Sequence, residues 1–248
     1  MEVIRISAVS YFNTIPFVYG IINSGLLKNY ELSIDVPSKC ALKLIEGKAD
    51  IGLVPVAALP KINNYKIIGN YCIGAISKVR TVCLYSQVPI NEISKIYLDS
   101  HSMTSVNLVK VLARDYWKIS PLWLNTDEES ISELSKLESV VAIGDKTFEL
   151  EKHFKFCFDL AEHWIDFTEL PFVFACWVSN KQLDSDFIAN FDKSLEFGIL
   201  NIEDALKDYY QNHQVSVDLD YYLKNNINYL FDEKKKNGMN LFLQNILL

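Results

Sequence analysis

Apolar and polar residues alternate along this chain with two different periods. Short runs rich in β-branched and aromatic residues recur through the first two thirds of the sequence, and stretches with apolar residues three or four positions apart separate them. This alternation is typical of an α/β fold, in which mostly parallel strands are covered by helices. The runs predict strands at Ile4–Val9, Glu31–Val36, Ile51–Pro55, Ile67–Ile73, Thr81–Ser86, Lys95–Asp99, Pro121–Leu124, Val140–Ile143 and Phe172–Ser179.

The helical stretches begin and end at recognisable capping residues. Ser38 has the side chain of an N-cap, and Gly47 follows the last apolar position of the same segment. From Asp184 to the end of the chain the helical period is almost uninterrupted. The sequence therefore predicts helices at Pro16–Ser24, Cys40–Gly47, Ser105–Trp117 and Ser130–Leu137, and several after Leu183.

Two of the predicted strands could carry the chain from one lobe to another and back. Thr81–Ser86 is followed by a proline-containing segment suited to a crossover, and Phe172–Ser179 could return the chain. We therefore expect a discontinuous first lobe, residues 1–86 and 180–248, on which the C-terminal helices pack, and a second lobe inserted at residues 87–179. Ligands of open α/β sheets bind beyond the carboxyl ends of the strands, so the cleft between the lobes is the expected site.

Clusters of hydroxyl and amide side chains follow predicted strands or precede predicted helices. Their members are Ser10, Asn13 and Thr14 in SYFNT, Ser38 in VPS, Ser86 in YSQ, and Ser100, Ser102, Thr104 and Ser105 in DSHSMTS. Helix N-termini carry unpaired N–H groups and partial positive charge, so such segments bind carboxylates well. The same residue types are the ordinary N-caps, so each cluster alone also fits a structural role. Together they indicate a cleft for a small carboxylic acid.

Two charged residues are candidates for the same cleft. Asp145 also follows a predicted strand, and Arg80 lies beside the crossover strand. An arginine can bind a ligand carboxylate through two parallel hydrogen bonds. A helix cap for Asp145 and an ordinary surface position for Arg80 are the structural alternatives.

Composition narrows the class of protein. The formal net charge of -7 argues against a nucleic-acid-binding surface. No apolar run reaches the ~20 residues of a membrane span and the N-terminus lacks a signal-peptide pattern, so we expect a cytoplasmic protein without membrane contact. Five cysteines without a CxxC pair indicate reduced, buried thiols, and four scattered histidines offer no zinc motif. Serine-hydrolase, P-loop and dinucleotide motifs do not occur in the sequence.

The whole chain resembles chorismate dehydratase of the futalosine route to menaquinone. The resemblance runs in order through RISAVSYFNTIPFVYG, PSKCALKLIEGKADIGLVPVAAL, CIGAISKVRTVCLYSQVP, LDSHSMTS, AIGD and DLAEHWIDFTELPFVFACWVS. It implies the two-lobed fold of type II periplasmic binding proteins and a lyase that removes water from chorismate to give 3-[(1-carboxyvinyl)oxy]benzoate. It implies no cofactor, chorismate as the small-molecule partner, and a chain that could form a homodimer.

The resemblance also implies roles for individual residues. Catalytic roles fall on Asn13, in the SYFNT motif, and on Ser86, at the end of TVCLYS. Substrate contacts are expected from Ser10, Tyr11, Thr14, Ser38, Arg80, Ser102, Thr104, Ser105 and Asp145.

This sequence departs from the family pattern at a few positions. Phe12 stands where leucine is common, Met103 where arginine is common, and Glu169 where glycine is common before LPFVFA. Met103 matters most, because without an arginine the DSHSMTS loop has only hydroxyls and backbone N–H groups to offer a substrate carboxylate.

The implied chemistry suits a site without a strong protein base. Deprotonation of the ring carbon next to the enol ether spreads charge toward the ring carboxylate, and loss of the neighbouring hydroxyl then aromatises the ring. The substrate's own enolpyruvyl carboxylate can accept the proton. Orientation and stabilisation of developing charge are then the contributions left to the protein.

Other functions fit the same fold. The dihydroxynaphthoate synthase of the same pathway opens with a different, cysteine- and proline-containing motif, so SYFNT argues against it. A non-catalytic solute-binding protein that serves a transporter would carry a signal peptide or a lipid-attachment cysteine. A ligand sensor would need room for a DNA-binding module.

Overall fold

The computed structural model describes residues 3–99, 102–126 and 130–246. Contacts divide the chain into two compact units, Met1–Gly74 with Val173–Asp232 and Ala75–Phe172 with Glu233–Leu248. Each unit is built around its own sheet, and both sheets mix parallel and antiparallel strands. The predicted α/β class is therefore confirmed.

Strands and helices alternate through most of the chain. The strands are β1 (Ile4–Val9), β2 (Tyr30–Asp35), β3 (Ile51–Pro55), β4 (Lys66–Ala75), β5 (Val82–Ser86), β6 (Lys95–Asp99), β7 (Leu122–Thr126), β8 (Ser139–Ile143), β9 (Phe156–Asp159), β10 (Phe172–Ser179) and β11 (Asn228–Leu230). The helices are α1 (Ile15–Asn23), α2 (Pro37–Ile45), α3 (Met103–Val111), α4 (Ile131–Leu134), α5 (Thr147–Leu150), α6 (Leu160–Thr168), α7 (Ser185–Leu200), α8 (Ile202–Tyr210), α9 (Leu219–Tyr221) and α10 (Glu233–Ile246). A π-helical turn, Leu112–Trp117, continues α3.

The first unit contains a six-stranded sheet in the order β11-β4-β10-β3-β1-β2. β1 runs parallel to both β2 and β3, whereas β10 runs antiparallel to β3. All residues of β3 and β10 are buried, which explains why both read as continuous apolar runs rather than alternating ones. Because parallel strands end at the same edge, the turns after β1, β2 and β3 lie along one edge of this sheet.

The core of the first unit is aromatic. The fully buried Trp177 of β10 lies 5.7 Å from the ring of Phe17 in α1 and 5.0 Å from that of Phe191 in α7. α1 and α7 cross at glycines: a Cβ added to Gly20 would overlap the Ser194 carbonyl oxygen, and one added to Gly198 would overlap that of Pro16. Only glycine permits this approach of two backbones.

The second unit contains a five-stranded sheet in the order β7-β6-β8-β5-β9. β6 runs parallel to β7 and β8, but β5 runs antiparallel to both of its neighbours, β8 and β9. β5 therefore begins at the edge where β6, β7 and β8 end. Its own last residue lies at the opposite edge.

The last helix, α10, packs in the second unit. Phe242 of α10 lies 6.0 Å from the ring of Trp164 in α6 and 5.0 Å from that of Phe172, and all three side chains are fully buried. The expectation that the C-terminal helices all pack on the first lobe is therefore wrong for α10. An apolar face predicts that a helix packs against other elements, but it does not predict which elements these are.

The unit boundaries also differ from the lobe boundaries expected from the sequence. The division falls at residues 74–75 and 172–173, and residues 233–248 join the second unit. The expected divisions at 86–87 and 179–180 lie at the ends of β5 and β10. The whole of β5 belongs to the second unit because it pairs with β8 and β9.

Candidate functional site

The carboxyl edge of the first sheet carries the SYFNT turn. β1 ends at Val9, and the Ser10 N–H donates to the carbonyl oxygen of Asp35 at the end of β2, over 2.9 Å. A 3₁₀ turn, Phe12–Thr14, then leads into α1, whose second residue is Pro16. The turn is therefore fixed between the ends of two parallel strands and the start of a helix.

Asn13 is held in this turn by its backbone and keeps one side-chain donor available. The Tyr229 hydroxyl donates to the Asn13 carbonyl oxygen over 3.1 Å, and the Thr14 hydroxyl donates to Asn13 Oδ1 over 3.2 Å. Asn13 is half-buried, and its Nδ2 group makes no hydrogen bond to any described residue. Such an amide is suited to donate to a ligand oxygen.

A cavity of about 400 Å³ opens beside the same turn, wholly within the first unit. Ser10, Tyr11 and Thr14 line it, together with apolar residues of α1 and with Tyr209. Asn13 and Ser38 are not among its lining residues. The structure thus brings together three of the predicted contacts in one cavity and leaves the predicted catalytic amide outside it.

Ser38 lies in the first turn of α2 rather than at its N-cap. The helix begins one residue earlier, at Pro37, with Val36 in the N-cap position. Proline is favoured at this first position because its missing N–H would be unpaired there in any case. The predicted cap is therefore wrong by two residues. The half-buried Ser38 still lies at the edge on which β1 and β2 end.

Asp35, which ends β2, is a charged group that the sequence analysis did not select. Its carboxylate is buried, pairs with Lys43 and with Lys39 at 3.1 Å, and accepts hydrogen bonds from the Ser7 and Ser33 hydroxyls, both at 3.0 Å. Burial alone would raise the pKa of this carboxyl, but these hydrogen bonds outweigh burial and lower the pKa to about 2. Asp35 therefore carries a fixed negative charge beside α2.

The carboxyl edge of the second sheet carries the N-terminus of α3. Ser102 is the N-cap of this helix, and its hydroxyl accepts from the backbone N–H of Ser105 over 3.3 Å. Thr104 and Ser105 are buried in the first turn of the helix. Met103 is the first helical residue, and Ser100 lies outside the described residues. The structural role of Ser102 is thus explicit, and this edge presents a capped helix N-terminus.

The turn after β8 lies at the same edge as the start of α3. Gly144 has a φ of +72°, and the half-buried Asp145 follows it. The Lys146 ammonium group donates to Asp99 Oδ2 over 2.8 Å, which joins this turn to the end of β6. Asp145 therefore lies among the strand ends of this sheet, as predicted.

Ser86 lies at the edge of the second sheet opposite to the one that carries α3 and Asp145. The expectation that Ser86 lies with the other polar clusters is therefore wrong. β5 is antiparallel to β8, and Ser86 pairs with Ser139, the first residue of β8. Its hydroxyl is fully buried, donates to the Val88 carbonyl oxygen over 2.8 Å and accepts from the Val88 N–H over 3.1 Å. These bonds close a turn, so Ser86 has the contacts of a structural residue.

Thr81 is a hydroxyl residue at the carboxyl edge that the sequence analysis missed. It directly precedes β5, is buried, and its carbonyl oxygen accepts from the Gly144 N–H over 2.9 Å. This bond connects Thr81 to the turn that carries Asp145. Recognising that the crossover strand runs antiparallel to its neighbours would have directed attention to its first residues rather than its last.

Arg80 makes contacts within its own unit. Its guanidinium group lies 3.3 Å from Glu151 and 5.3 Å from the centre of the Phe148 ring, and its backbone N–H donates to Asp159 over 2.7 Å. Its φ is +64°, so the backbone is left-handed at this residue. The guanidinium group already has a carboxylate partner, which argues against the predicted role as a free substrate clamp.

The cysteines and potential metal ligands add little to either edge. Cys40, Cys72, Cys83 and Cys176 are buried free thiols, but Cys157 is exposed, so the expectation that all cysteines are buried is wrong. Within the described ranges, no group of three or more histidine, cysteine or acidic side chains could hold a metal ion. In the same ranges no helix is long and apolar enough to cross a membrane.

Solved structures with the same fold include binding proteins. A protein from Archaeoglobus fulgidus is 16% identical with a TM-score of 0.76, over 98% of this chain and 96% of that one. An ABC transporter protein from Parabacteroides distasonis is 18% identical with a TM-score of 0.69, over 99% and 92%. The aliphatic sulphonate binding protein SsuA from Escherichia coli is 15% identical with a TM-score of 0.65, over 100% and 89%. This likeness shows a periplasmic-binding-protein-like fold.

A family comparison identifies the pathway. The family model VitK2_biosynth, described as menaquinone biosynthesis, matches residues 4–246, which is nearly the whole chain. This agrees with the family that the motifs SYFNT and TVCLYS indicate. The chain belongs to the menaquinone biosynthesis family.

Proposed function

We propose that this protein dehydrates chorismate to 3-[(1-carboxyvinyl)oxy]benzoate. The observation that carries the proposal is the match of residues 4–246 to the menaquinone biosynthesis family. The ordered motifs of the resemblance select the chorismate-dehydrating branch within that family, because SYFNT argues against the dihydroxynaphthoate synthase. The reaction would run in the cytoplasm.

Asn13 has the contacts expected of a catalytic amide. Its backbone is fixed by Tyr229 and its Oδ1 by Thr14, so the direction of Nδ2 is set before any ligand binds. We assign this donor to the reacting region of chorismate, where it would orient the enolpyruvyl ether and the departing hydroxyl. A donor fixed in advance stabilises developing charge without reorganisation during the reaction.

The carboxyl edge of the second sheet also carries hydroxyl and backbone donors. The N-terminus of α3, capped by Ser102, carries partial positive charge that suits a carboxylate, and no arginine is needed in place of Met103 for this interaction. We assign the second catalytic hydroxyl to Thr81 rather than to Ser86. Thr81 lies at the edge that carries Asp145 and α3, and its hydroxyl donates to the Val79 carbonyl oxygen over a long 3.5 Å. The Ser86 hydroxyl is held more tightly, by two hydrogen bonds to Val88 of 2.8 and 3.1 Å.

The chemistry is an elimination that conserves every atom of chorismate. A proton leaves the ring carbon that bears the enolpyruvyl ether, its electron pair enters the ring, and the neighbouring C–O bond breaks. The enolpyruvyl carboxylate takes this proton and passes it to the departing hydroxyl, which leaves as water. Aromatisation supplies the driving force, so the protein needs to hold one conformer and stabilise the charge that develops.

The direct test is incubation of the purified protein with chorismate in the presence of a metal chelator and without nucleotide. Chromatography should detect 3-[(1-carboxyvinyl)oxy]benzoate at a rate proportional to protein concentration. A matched incubation with the Asn13→Ala variant controls for the spontaneous decay of chorismate. Loss of product on chelation, or equal product from both proteins, would contradict the proposal.

A small-carboxylate-binding protein without catalysis is the second candidate. The observation that favours it is that structures with this fold include the sulphonate-binding protein SsuA. The absorption spectrum of chorismate mixed with the protein distinguishes the two functions, because a binding protein would convert chorismate no faster than chorismate decays by itself. A catalyst would release a product with a different absorption spectrum.

A further inference from the structure

A second large cavity lies in the second unit, at the end of α3 that is remote from Ser102. It measures about 630 Å³ and is formed by the last turns of α3, the π-helical turn, the start of β7 and the end of α10. Cavities that bind small molecules measure roughly 300–1,000 Å³, so this one has room for a ligand with a ring and several polar groups.

The lining of this cavity is cationic. Lys110, Arg114 and Lys118 line it, and the lining residues in the described part of the chain include no acidic side chain. The whole chain has a formal net charge of -7, so this concentration of positive charge differs from the average surface. Clustered cations raise the local concentration of anions.

The three cations are not equally neutralised. The Arg114 guanidinium group donates to both Asp115 carboxylate oxygens at 2.8 and 2.6 Å and reaches Asn245 at 3.4 Å, so its position is fixed. Lys110 makes no ion pair with a described residue, and its ammonium group lies 5.8 Å from the centre of the Trp123 ring. Lys118 likewise makes no ion pair within the described ranges, although its charge contributes, after the hydrogen bond from Arg114, to lowering the pKa of the Asp115 carboxyl. Two lysines are therefore available to an anion.

The backbone around these cations departs from a regular helix. α3 widens into the π-helical turn Leu112–Trp117, and Lys118 follows with a φ of +56°. The Ile119 N–H then returns to the Ala113 carbonyl oxygen over 2.9 Å. π-helical turns and left-handed residues other than glycine are costly and concentrate at functional sites. The irregularity and the cationic cavity coincide.

We propose that this cavity binds a nucleoside phosphate. Lys110 and Lys118 would contact the phosphate oxygens, the fixed Arg114 would add a third positive charge, and the half-buried indole of Trp123 would contact the base. A simple carboxylate would use neither the aromatic ring nor the volume. This site is independent of the proposed dehydration of chorismate.

The test is calorimetric titration of the intact protein with ADP, pyrophosphate and adenosine at low salt. ADP should bind more tightly than either fragment, and its affinity should fall as salt rises. The double variant Lys110→Gln/Lys118→Gln should weaken ADP binding at least about tenfold. Lys136→Gln is the matched control, since Lys136 pairs with Glu133 on α4 and does not line the cavity.

The ring contact has its own variants. Trp123→Leu should weaken ADP binding about fivefold and leave pyrophosphate binding unchanged, while Trp123→Phe should retain most of the affinity. Circular dichroism verifies that each variant is folded. The proposal fails if ADP does not bind at millimolar concentration, if the double lysine variant binds ADP as the native protein does, or if pyrophosphate binds as tightly as ADP.

Discussion

The carboxyl edges of the two sheets are built differently, although each unit is α/β. In the first unit β1, β2 and β3 are parallel, so every strand-to-helix turn among them lies at one edge. In the second unit β5 is antiparallel to its neighbours, so the residues before it share an edge with the ends of β6 and β8. The edge of the sheet on which a polar residue lies can therefore be predicted only when the direction of its strand is known.

The two edges share one electrostatic device. β2 ends in the buried Asp35, which pairs with Lys39 and Lys43, and β6 ends in the buried Asp99, which pairs with Lys146. In each case the lysine comes from the segment after a parallel strand. The difference is that Asp35 also accepts two serine hydroxyl groups, so its charge is held by four side chains.

The largest expected effect tests the first edge. Asn13→Ala removes the amide donor fixed by Tyr229 and Thr14, and kcat should fall about 10²–10³-fold, as when an oxyanion-hole donor is lost. Steady-state kinetics with chorismate measures this change. Asn225→Ala is the control, because the exposed Asn225 amide donates to the Tyr221 carbonyl oxygen and Asn225 does not line the cavity beside the SYFNT turn. Near-native turnover by a folded Asn13→Ala variant would remove this residue from the mechanism.

The second prediction compares the two hydroxyls of the second unit. Thr81→Val, which keeps the shape of the side chain, should lower kcat by roughly 10–10²-fold. Ser86→Ala should leave kcat near its native value and lower the free energy of unfolding by about 1 kcal/mol, because a buried turn loses its hydrogen bonds. Kinetics and urea unfolding of both variants decide the assignment. The opposite pattern would restore Ser86 to the catalytic role implied by the family resemblance.

The third prediction concerns pH and the Asp35 cluster. The pKa of Asp35 is lowered from 3.8 to about 2 on folding, so its contribution to stability is complete above about pH 5 and is lost as the pH falls toward 2. Urea unfolding between pH 2 and 7 should show this slope in the native protein and a weaker slope in Asp35→Asn. Asp204→Asn, on the exposed face of α8, should retain the native slope.

The smallest expected effect concerns Glu169, which stands where glycine is common in the family. Glu169 follows the last residue of α6 and has a φ of +61°, a left-handed conformation that disfavours side chains with a Cβ. Glu169→Gly should therefore raise the free energy of unfolding by about 1 kcal/mol without changing kcat. Glu169→Ala is the control and should give no such gain. Urea unfolding measures both, and a loss of stability in the glycine variant would contradict this account.

Much of the fold could be predicted from the sequence because buried strands have strong local signals. β1, β3, β6 and β10 have the predicted bounds, and the predicted C′ glycine of α2, Gly47, has a φ of +65°. The sequence analysis missed β9 and β11, which have only four and three residues and depend on pairing with β5 and β4. Short strands of this kind are defined by their partners rather than by their own pattern.

The candidate site was predicted only in part, for the same physical reason. The residues after β1, β6 and β8 lie at carboxyl edges as expected, because a parallel sheet fixes the direction of each strand. The sequence analysis selected Ser86 instead of Thr81, because the direction of β5 depends on its pairing with β8 and β9, which are distant in the sequence. The buried Asp35 was missed because Ser7, 28 residues earlier in the sequence, meets it only in the fold, and because Lys43 reaches it only when α2 has formed.

The glycine crossing of α1 and α7 has a consequence for the chemistry that is mechanical rather than electronic. With Gly20 against Ser194 and Gly198 against Pro16, the two helices touch backbone to backbone, and no side chain between them can yield. A slide or rotation of α1 against α7 would bring backbone atoms into overlap, so we expect α1 to keep its position when a ligand binds. Asn13 lies two residues before α1, so we expect its amide to keep its position relative to α7 during turnover.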